Sequence, residues 1–175
     1  FTKEIEEALL AGDIDIAVHS FKDLPIECPP GLCIAAVPLR APVRDVLVVQ
    51  NSSVDDKALW GLKEKARVGT SSLRRKAHLL SKRPDLQMVD IRGNVPTRFN
   101  KAVSGELDAV ILAEAGLTRL EMDKQAESQE VHLVAIDIAA VCPAPAQGAL
   151  AIQTRSNDKQ AHAALKALHH SGTAA

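Results

Sequence analysis

Four arginines at two points of the sequence carry its clearest chemical signal. "VGTSSLRRK" (68–76) sets Thr70, Ser71 and Ser72 just ahead of Arg74 and Arg75. "VDIRGNVPTRF" (89–99) sets Arg92 and Gly93 ahead of Thr97 and Arg98. Each stretch reads as a strand running into a helix, where free backbone N–H groups and the helix dipole already favour an anion. Arginine is the wrong residue for a helix's first turn unless something negative meets it. One arginine there is accounted for by solvation or a surface acid, but four at two such turns describe an anion site. Guanidinium forks suit it to carboxylates or phosphates.

A third strand end, "IAVHSFKDLP" (16–25), carries His19, Ser20, Lys22 and Asp23. Asp23 is the odd member, one carboxylate in a set of cations. Such a group serves a substrate that is anionic outside but develops positive charge at its centre. Pattern alone leaves it equally readable as a turn-capping residue before Leu24 and Pro25.

Other chemistries find less support. Neither G-x-x-x-x-G-K-[ST] nor G-x-G-x-x-G occurs, so the nucleotide fingerprints do not apply. The six histidines are scattered, and no metal site is expected. His169 and His170 are expected at a solvated helix end, where cations suit the dipole. Aromatics make up 2% of the chain with no Tyr, too few for base stacking. The formal net charge of −1 draws the chain to neither nucleic acid nor an anionic membrane. Cys28, Cys33 and Cys142 form no C-x-x-C pair, and the reading is small buried residues carrying reduced thiols in a cytoplasmic protein. No apolar run reaches membrane-spanning length.

The elements that position these residues follow from hydrophobic period and punctuation. "EEALLAGDIDIAVHS" (6–20) and "FNKAVSGELDAVILA" (99–113) repeat one frame: a helix stopped by Gly, an acidic turn, then a short apolar strand. The match implies two similar α/β units, or two instances of a common element. Further strands are expected at 32–39, 44–50, 65–70, 86–94 and 131–138. Helices are expected from Phe1 to about Ala11, after Ser72, from Pro96 at N1 to Ser104, and over 157–170. The segment 121–130 is a polar helix or turn. Strands alternating with helices give an α/β class with mixed, mainly parallel sheets. "PLRAPVR" (38–44) and "VCPAPAQG" (141–148) mark two crossings. They divide the chain into a first lobe, 1–42 plus 143–175, and an inserted second lobe, 43–142. Two lobes joined by two crossings resemble the periplasmic binding protein-like (type II) architecture, with a ligand cleft between lobes. A non-catalytic anion-binding module of the solute-binding type is therefore the alternative to an enzyme.

"AVHSFKDLP", "VGTSSLRRKAHL", "IRGNVPTR", "LDAVILAEAGLTRL" and "PAPAQGALAIQTR" together resemble the porphobilinogen deaminase (hydroxymethylbilane synthase) family, in order along nearly the whole chain. The resemblance implies a monomeric enzyme of tetrapyrrole biosynthesis that joins four porphobilinogen units with loss of ammonia on a covalent dipyrromethane cofactor. Every pyrrole carries an acetate and a propionate, which gives the arginines their ligand. By motif, Asp23 resembles the essential aspartate that contacts pyrrole N–H groups and stabilises an azafulvene-like cation. Ser20, Lys22, Thr70, Ser71, Ser72, Arg74, Arg75, Arg92 and Gly93 fall at cofactor-binding segments. Arg98, Arg119 and Gln147 fall at substrate-binding ones.

The departures are specific. The family's opening segment and its third domain, with the loop cysteine that anchors the cofactor, have no counterpart in the sequence. Cys28, Cys33 and Cys142 match none of that loop's context. Pro96 and Ala146 stand where the family commonly has other residues, Gly in the second case, and both are expected to stiffen or shift their turns. Intact-mass measurement after incubation with porphobilinogen is therefore expected to find no stable dipyrromethane adduct on this chain. An adduct would reassign the anchor to one of the three cysteines.

Overall fold

The computed structural model describes residues 2–126 and 128–174. Phe1 and Glu127, which belong to the expected first helix and the expected 121–130 segment, lie outside the described residues, as does Ala175. In chain order the elements are α1 (Thr2–Ala11), β1 (Ala17–Ser20), β2 (Leu32–Ala36), β3 (Asp45–Gln50), β4 (Arg67–Gly69), α2 (Leu73–Lys82), β5 (Gln87–Val89) and α3 (Val95–Val103). There follow β6 (Ala109–Ala113), α4 (Glu114–Arg119), α5 (Met122–Ala126), β7 (Val131–Ala135), β8 (Leu150–Arg155), α6 (Lys159–Leu165) and α7 (Ser171–Ala174). The chain divides into two compact units, 1–41 with 145–175 and 42–144.

The larger unit is built on a sheet of order β5-β4-β6-β3-β7. β4 pairs in parallel with β5 and β6, while β3 lies antiparallel between β6 and β7. Four strands thus share one direction and β3 opposes them. Both faces are covered, which is why β3 and β6 are apolar without alternation. Val46 and Val48 of β3 and Val110 and Leu112 of β6 face a core with Phe99, Ala102 and Leu117. Leu47, Val49, Ala109 and Ile111 face the opposite core with Val68, Leu79 and Ile136.

The smaller unit carries a sheet of order β1-β8-β2, with β8 antiparallel to both neighbours. Leu9 of α1 packs with Ala17 and Leu32, and Leu165 of α6 packs with Ala36 and Ile152. The parallel reading thus holds for strand direction in the larger sheet. In each unit one strand, β3 or β8, inserts against that direction.

The repeated frame is physical. Gly12 (φ 83°) and Gly105 (φ 71°) end α1 and α3 in the left-handed region. The amide of Gly12 donates to the carbonyl of Leu9 and that of Asp13 to Ala8. The aspartate just ahead of each strand, two residues before β1 and one before β6, is anchored by a partner strand. Asp15 accepts from Arg155 of β8. Asp108 accepts from the Arg67 amide of β4 (2.7 Å) and the Ser53 hydroxyl (2.8 Å), and pairs with Lys63.

Several expectations need correction. β5 ends at Val89, short of the expected 94. Pro96 takes N2 of α3, after Asn94 as N-cap and Val95, still within the turn whose N–H groups lack helical partners. His169 and His170 are exposed as expected, and His169 caps a 3₁₀ turn, but the α-helix itself does not reach them. α6 stops at Leu165, a 3₁₀ turn covers Lys166–Leu168, and the chain then runs along Val37 just beyond β2. The amide of His170 donates to the Val37 carbonyl (2.8 Å), and Val37 N–H donates to Nδ1 of His169 (3.3 Å). Buried Val37 needs partners for both its backbone groups, and that requirement overrides helix continuation. Nor are the cysteines buried. Cys28 and Cys142 are exposed in proline-marked loops, and half-buried Cys33 has Sγ 3.6 Å from His162 Nε2. Among the described residues no helix is long and apolar enough to cross a membrane.

Burial pushes the Asp108 carboxyl up, but its hydrogen bonds to Lys63, Arg67 and Ser53 prevail and hold it at about 2, below the ordinary 3.8. A depressed folded value stabilises above the unfolded value, and that contribution is lost as pH falls through the folded one. It amounts to about 2 kcal/mol. Urea unfolding midpoints of the parent and Asp108→Asn should therefore differ at about pH 5 and converge towards about pH 2.

Candidate functional site

In the larger unit the ends of β4 and β5 are clamped by one side chain. Ser71 Oγ donates to the Ile91 carbonyl (2.6 Å) and accepts from the Ile91 amide (3.1 Å). Thr70, buried, accepts from the Ser72 amide at Oγ1 (3.2 Å), and Ser72 caps α2 by accepting from the Arg75 amide (3.4 Å). Thr70, Ser71 and Ser72 thus build the turn that presents Arg74 and Arg75.

The second turn is as firmly set. Gly93 has φ 114°, and a Cβ there would lie 2.8 Å from Thr97 Cγ2. Asn94 Oδ1 accepts from the amide (2.9 Å) and hydroxyl (2.7 Å) of Thr97. Arg98 Nε donates to the Gly93 carbonyl (2.7 Å), fixing one side of its guanidinium. Arg92 is exposed beside Asp90. The Lys76 ammonium, 2.6 Å away, holds the Asp90 carboxyl below its ordinary range, and Arg92 adds to that effect. Arg119 is exposed at the last residue of α4.

Arg74 and Arg75 meet a partner that the sequence reading missed. Asp45 opens β3, and its side chain is 0% exposed. Oδ1 accepts from Arg75 Nη2 (2.7 Å) and Oδ2 from Arg74 Nη2 (2.9 Å). Arg75 Nη1 also donates to the Ile111 carbonyl (3.2 Å), and Arg74 Nη1 to that of Cys142. The buried face of α2 therefore carries Arg75 and Leu79, while Leu73 in the same first turn is 80% exposed. Arg75 Nε is buried with no hydrogen-bond partner among the described residues. An acid opening an otherwise apolar strand, "RDVLVVQ", was the available signal.

In the smaller unit, Ser20 ends β1 paired with Leu150, and the Phe21 amide donates to the Ala149 carbonyl (3.0 Å). This register sets the 3₁₀ turn Phe21–Asp23 beside the turn 146–149. Lys22 and Asp23 are exposed on it, and no bond or ion pair within the described residues engages Asp23. Gln147 is fully buried, its carbonyl accepting from Arg40 Nε (2.9 Å). Below the turn, buried His19 is 3.2 Å from Gln153 Oε1, and Gln153 Nε2 donates to Glu6 (3.2 Å). Among the described residues no group of three His, Cys, Asp or Glu is placed to hold a metal ion.

In the larger unit the guanidiniums and turn hydroxyls, with one buried guanidinium nitrogen left without a partner among the described residues, fit a carboxylate-bearing ligand. The family described as porphobilinogen deaminase, dipyromethane cofactor binding domain, matches residues 1–163. The chain belongs to the porphobilinogen deaminase family. Its relatives include porphobilinogen deaminases of Thermus thermophilus, 49% identical over 97% of this chain and 53% of the relative, and of Deinococcus deserti, 50% identical over 99% and 53%. A chloroplastic family member of Euglena gracilis is 48% identical over 97% of this chain and 35% of its own length. The chain thus spans about half the length of the bacterial relatives.

Solved structures place the fold. A Bordetella pertussis BvgS VFT2 domain superposes with TM-score 0.56 at 15% identity, covering 98% of this chain and 70% of that one. An ancestral arginine-binding protein gives 0.50 at 19%, covering 93% and 70%. At such identity the likeness establishes the α/β, periplasmic-binding-protein-like fold alone.

Ala146 adopts φ 56° in the turn next to Gln147, a region where Gly is unstrained. The departure at Ala146 thus falls on the backbone dihedral itself, in a turn that was expected to be stiffened or shifted. Ala146→Gly should raise stability by about 0.5–1 kcal/mol, the left-handed penalty outweighing glycine's added chain entropy. Urea unfolding measures it, and a loss of stability would show that the alanine is unstrained.

Proposed function

We propose that this chain is the dipyrromethane-binding part of a hydroxymethylbilane synthase, a transferase of tetrapyrrole biosynthesis that joins four porphobilinogen units with release of ammonia. The observation that carries the reading is the family match over residues 1–163, whose description names that cofactor. The reading includes a monomeric, cytoplasmic enzyme with no nucleic-acid or membrane partner.

Lys22, Ser72, Arg74 and Arg75 would hold the cofactor's acetate and propionate groups, with Arg92 extending that set. When bound, the cofactor supplies the pyrrole carbon to which the first substrate unit is joined. Ser20, Thr70, Ser71 and Gly93 serve by shaping the turns. Arg98, Arg119 and Gln147 act on the incoming porphobilinogen, Arg98 through the guanidinium edge that Gly93 leaves open. Each condensation breaks the carbon–nitrogen bond of one aminomethyl arm and the C–H bond at the free α carbon of the accepting pyrrole, forms one carbon–carbon bond, and passes the displaced proton to the departing ammonia. Positive charge develops on the pyrrole as ammonia departs. Asp23 accepts the pyrrole N–H and offsets that charge, helping the proton leave. For this role an exposed carboxylate without a protein partner is better placed than one already neutralised.

Calorimetric titration with porphobilinogen should detect binding that weakens roughly tenfold or more in Arg98→Leu, the loss of a charged hydrogen bond. Asp23→Ala should abolish ammonia release by the enzyme that carries this chain while leaving porphobilinogen binding intact or tighter. Failure of the parent chain to bind porphobilinogen sinks the proposal.

A further inference from the structure

Asp45 occupies an unusual electrostatic position. Its buried carboxylate takes one N–H from each of two neighbouring arginines rather than both N–H groups of one fork. A guanidinium has five N–H donors. Arg74 commits one to Asp45 and one to the Cys142 carbonyl, and Arg75 one to Asp45 and one to the Ile111 carbonyl. Both arginines are thus immobilised without being saturated. Arg75 Nε, on a side chain only 7% exposed, is left without a partner among the described residues. Two cations and one anion leave the group a net charge of plus one, at a helix start whose dipole resists cations.

Stability is a poor account of such an arrangement. Burying three charges carries a desolvation penalty that attraction often fails to recover, and apolar replacements are frequently neutral or better. The arrangement is well suited to recognition. Long arginine side chains lose rotamer freedom on binding, and here that freedom is lost during folding.

We propose that Asp45 is a positioning residue for carboxylate recognition. It locks Arg74 and Arg75 with one hydrogen bond each and leaves the pair one positive charge, enough to take a single ligand carboxylate. This rests on the reading that these arginines receive pyrrole carboxylates.

The test is calorimetric titration of the chain with a free dipyrromethane bearing acetate and propionate side chains, the ligand assigned to these arginines, with circular dichroism and thermal melting as controls for folding. Asp45→Asn preserves shape and should weaken binding roughly tenfold, the effect of misplaced donors. Arg74→Leu should then cost far less in the Asp45→Asn background than in the parent, because the two act as one unit. Asp45→Glu keeps the charge but moves the carboxylate by one methylene, and should also weaken binding. Parent-like or tighter binding in either folded variant overturns the proposal, since a site governed by charge alone would gain from Asp45→Asn. A lowered melting point with unchanged affinity makes Asp45 structural only, and overturns it too. Absence of binding by the parent chain is a different failure, which removes the proposed function and this inference together.

Discussion

A carboxylate sealed inside a sheet must have its charge met by the protein, and Asp45 is met by the first turn of α2. That demand orders much of the larger unit. It turns α2 so that Arg75 faces inward above Leu79 and Leu73 faces outward, the reverse of what hydropathy would choose. It ties the start of β3 to the helix that follows β4, across a sheet in which those strands are separated by β6. Ser72 and Thr70 support the same turn from below, so capping and ion pairing specify one geometry. The arginines that looked misplaced against the helix dipole are placed by a stronger interaction.

The elements themselves were legible because their signals are local. Gly12 and Gly105 stop helices wherever the chain carries them, and the apolar runs of β3 and β6 could only be strands covered on both faces. Strand direction was less accessible. β8 pairs with β1 and β2 antiparallel, a result of where the chain returns after more than a hundred residues rather than of any pattern inside "LAIQTR". The docking of His169 and His170 along Val37 was hidden for the same reason. It answers a backbone requirement of a residue far away in sequence.

Residue types at the candidate site were also legible, because strand ends and helix starts are where anions are met. Partners were not. Asp45 in "RDVLVVQ" is one charge beside another, and nothing local distinguishes it from Arg44, which pairs with Glu114 at the surface. Burial separates them, and burial is decided by the sheet. Ser71 shows the opposite case. Its hydroxyl engages the Ile91 backbone in both directions, so a residue read as a ligand contact is first a clamp between two strand ends.

The same α/β scaffold occurs at 19% identity in an ancestral arginine-binding protein, so the scaffold cannot decide between a receptor and an enzyme. Two carboxylates of this chain, Asp45 and Asp23, differ in their surroundings in a way that bears on that choice. Asp45 is buried and met on both oxygens, the condition of a group whose work is to hold its neighbours. Asp23 is exposed on a short turn with its charge unmatched by any described residue, a condition that adds nothing to gripping an anion. A receptor for carboxylates has use for the first and none for the second. In the proposed reaction, positive charge arising on a bound pyrrole would give the second a purpose, and its lack of a partner among the described residues supports that reading.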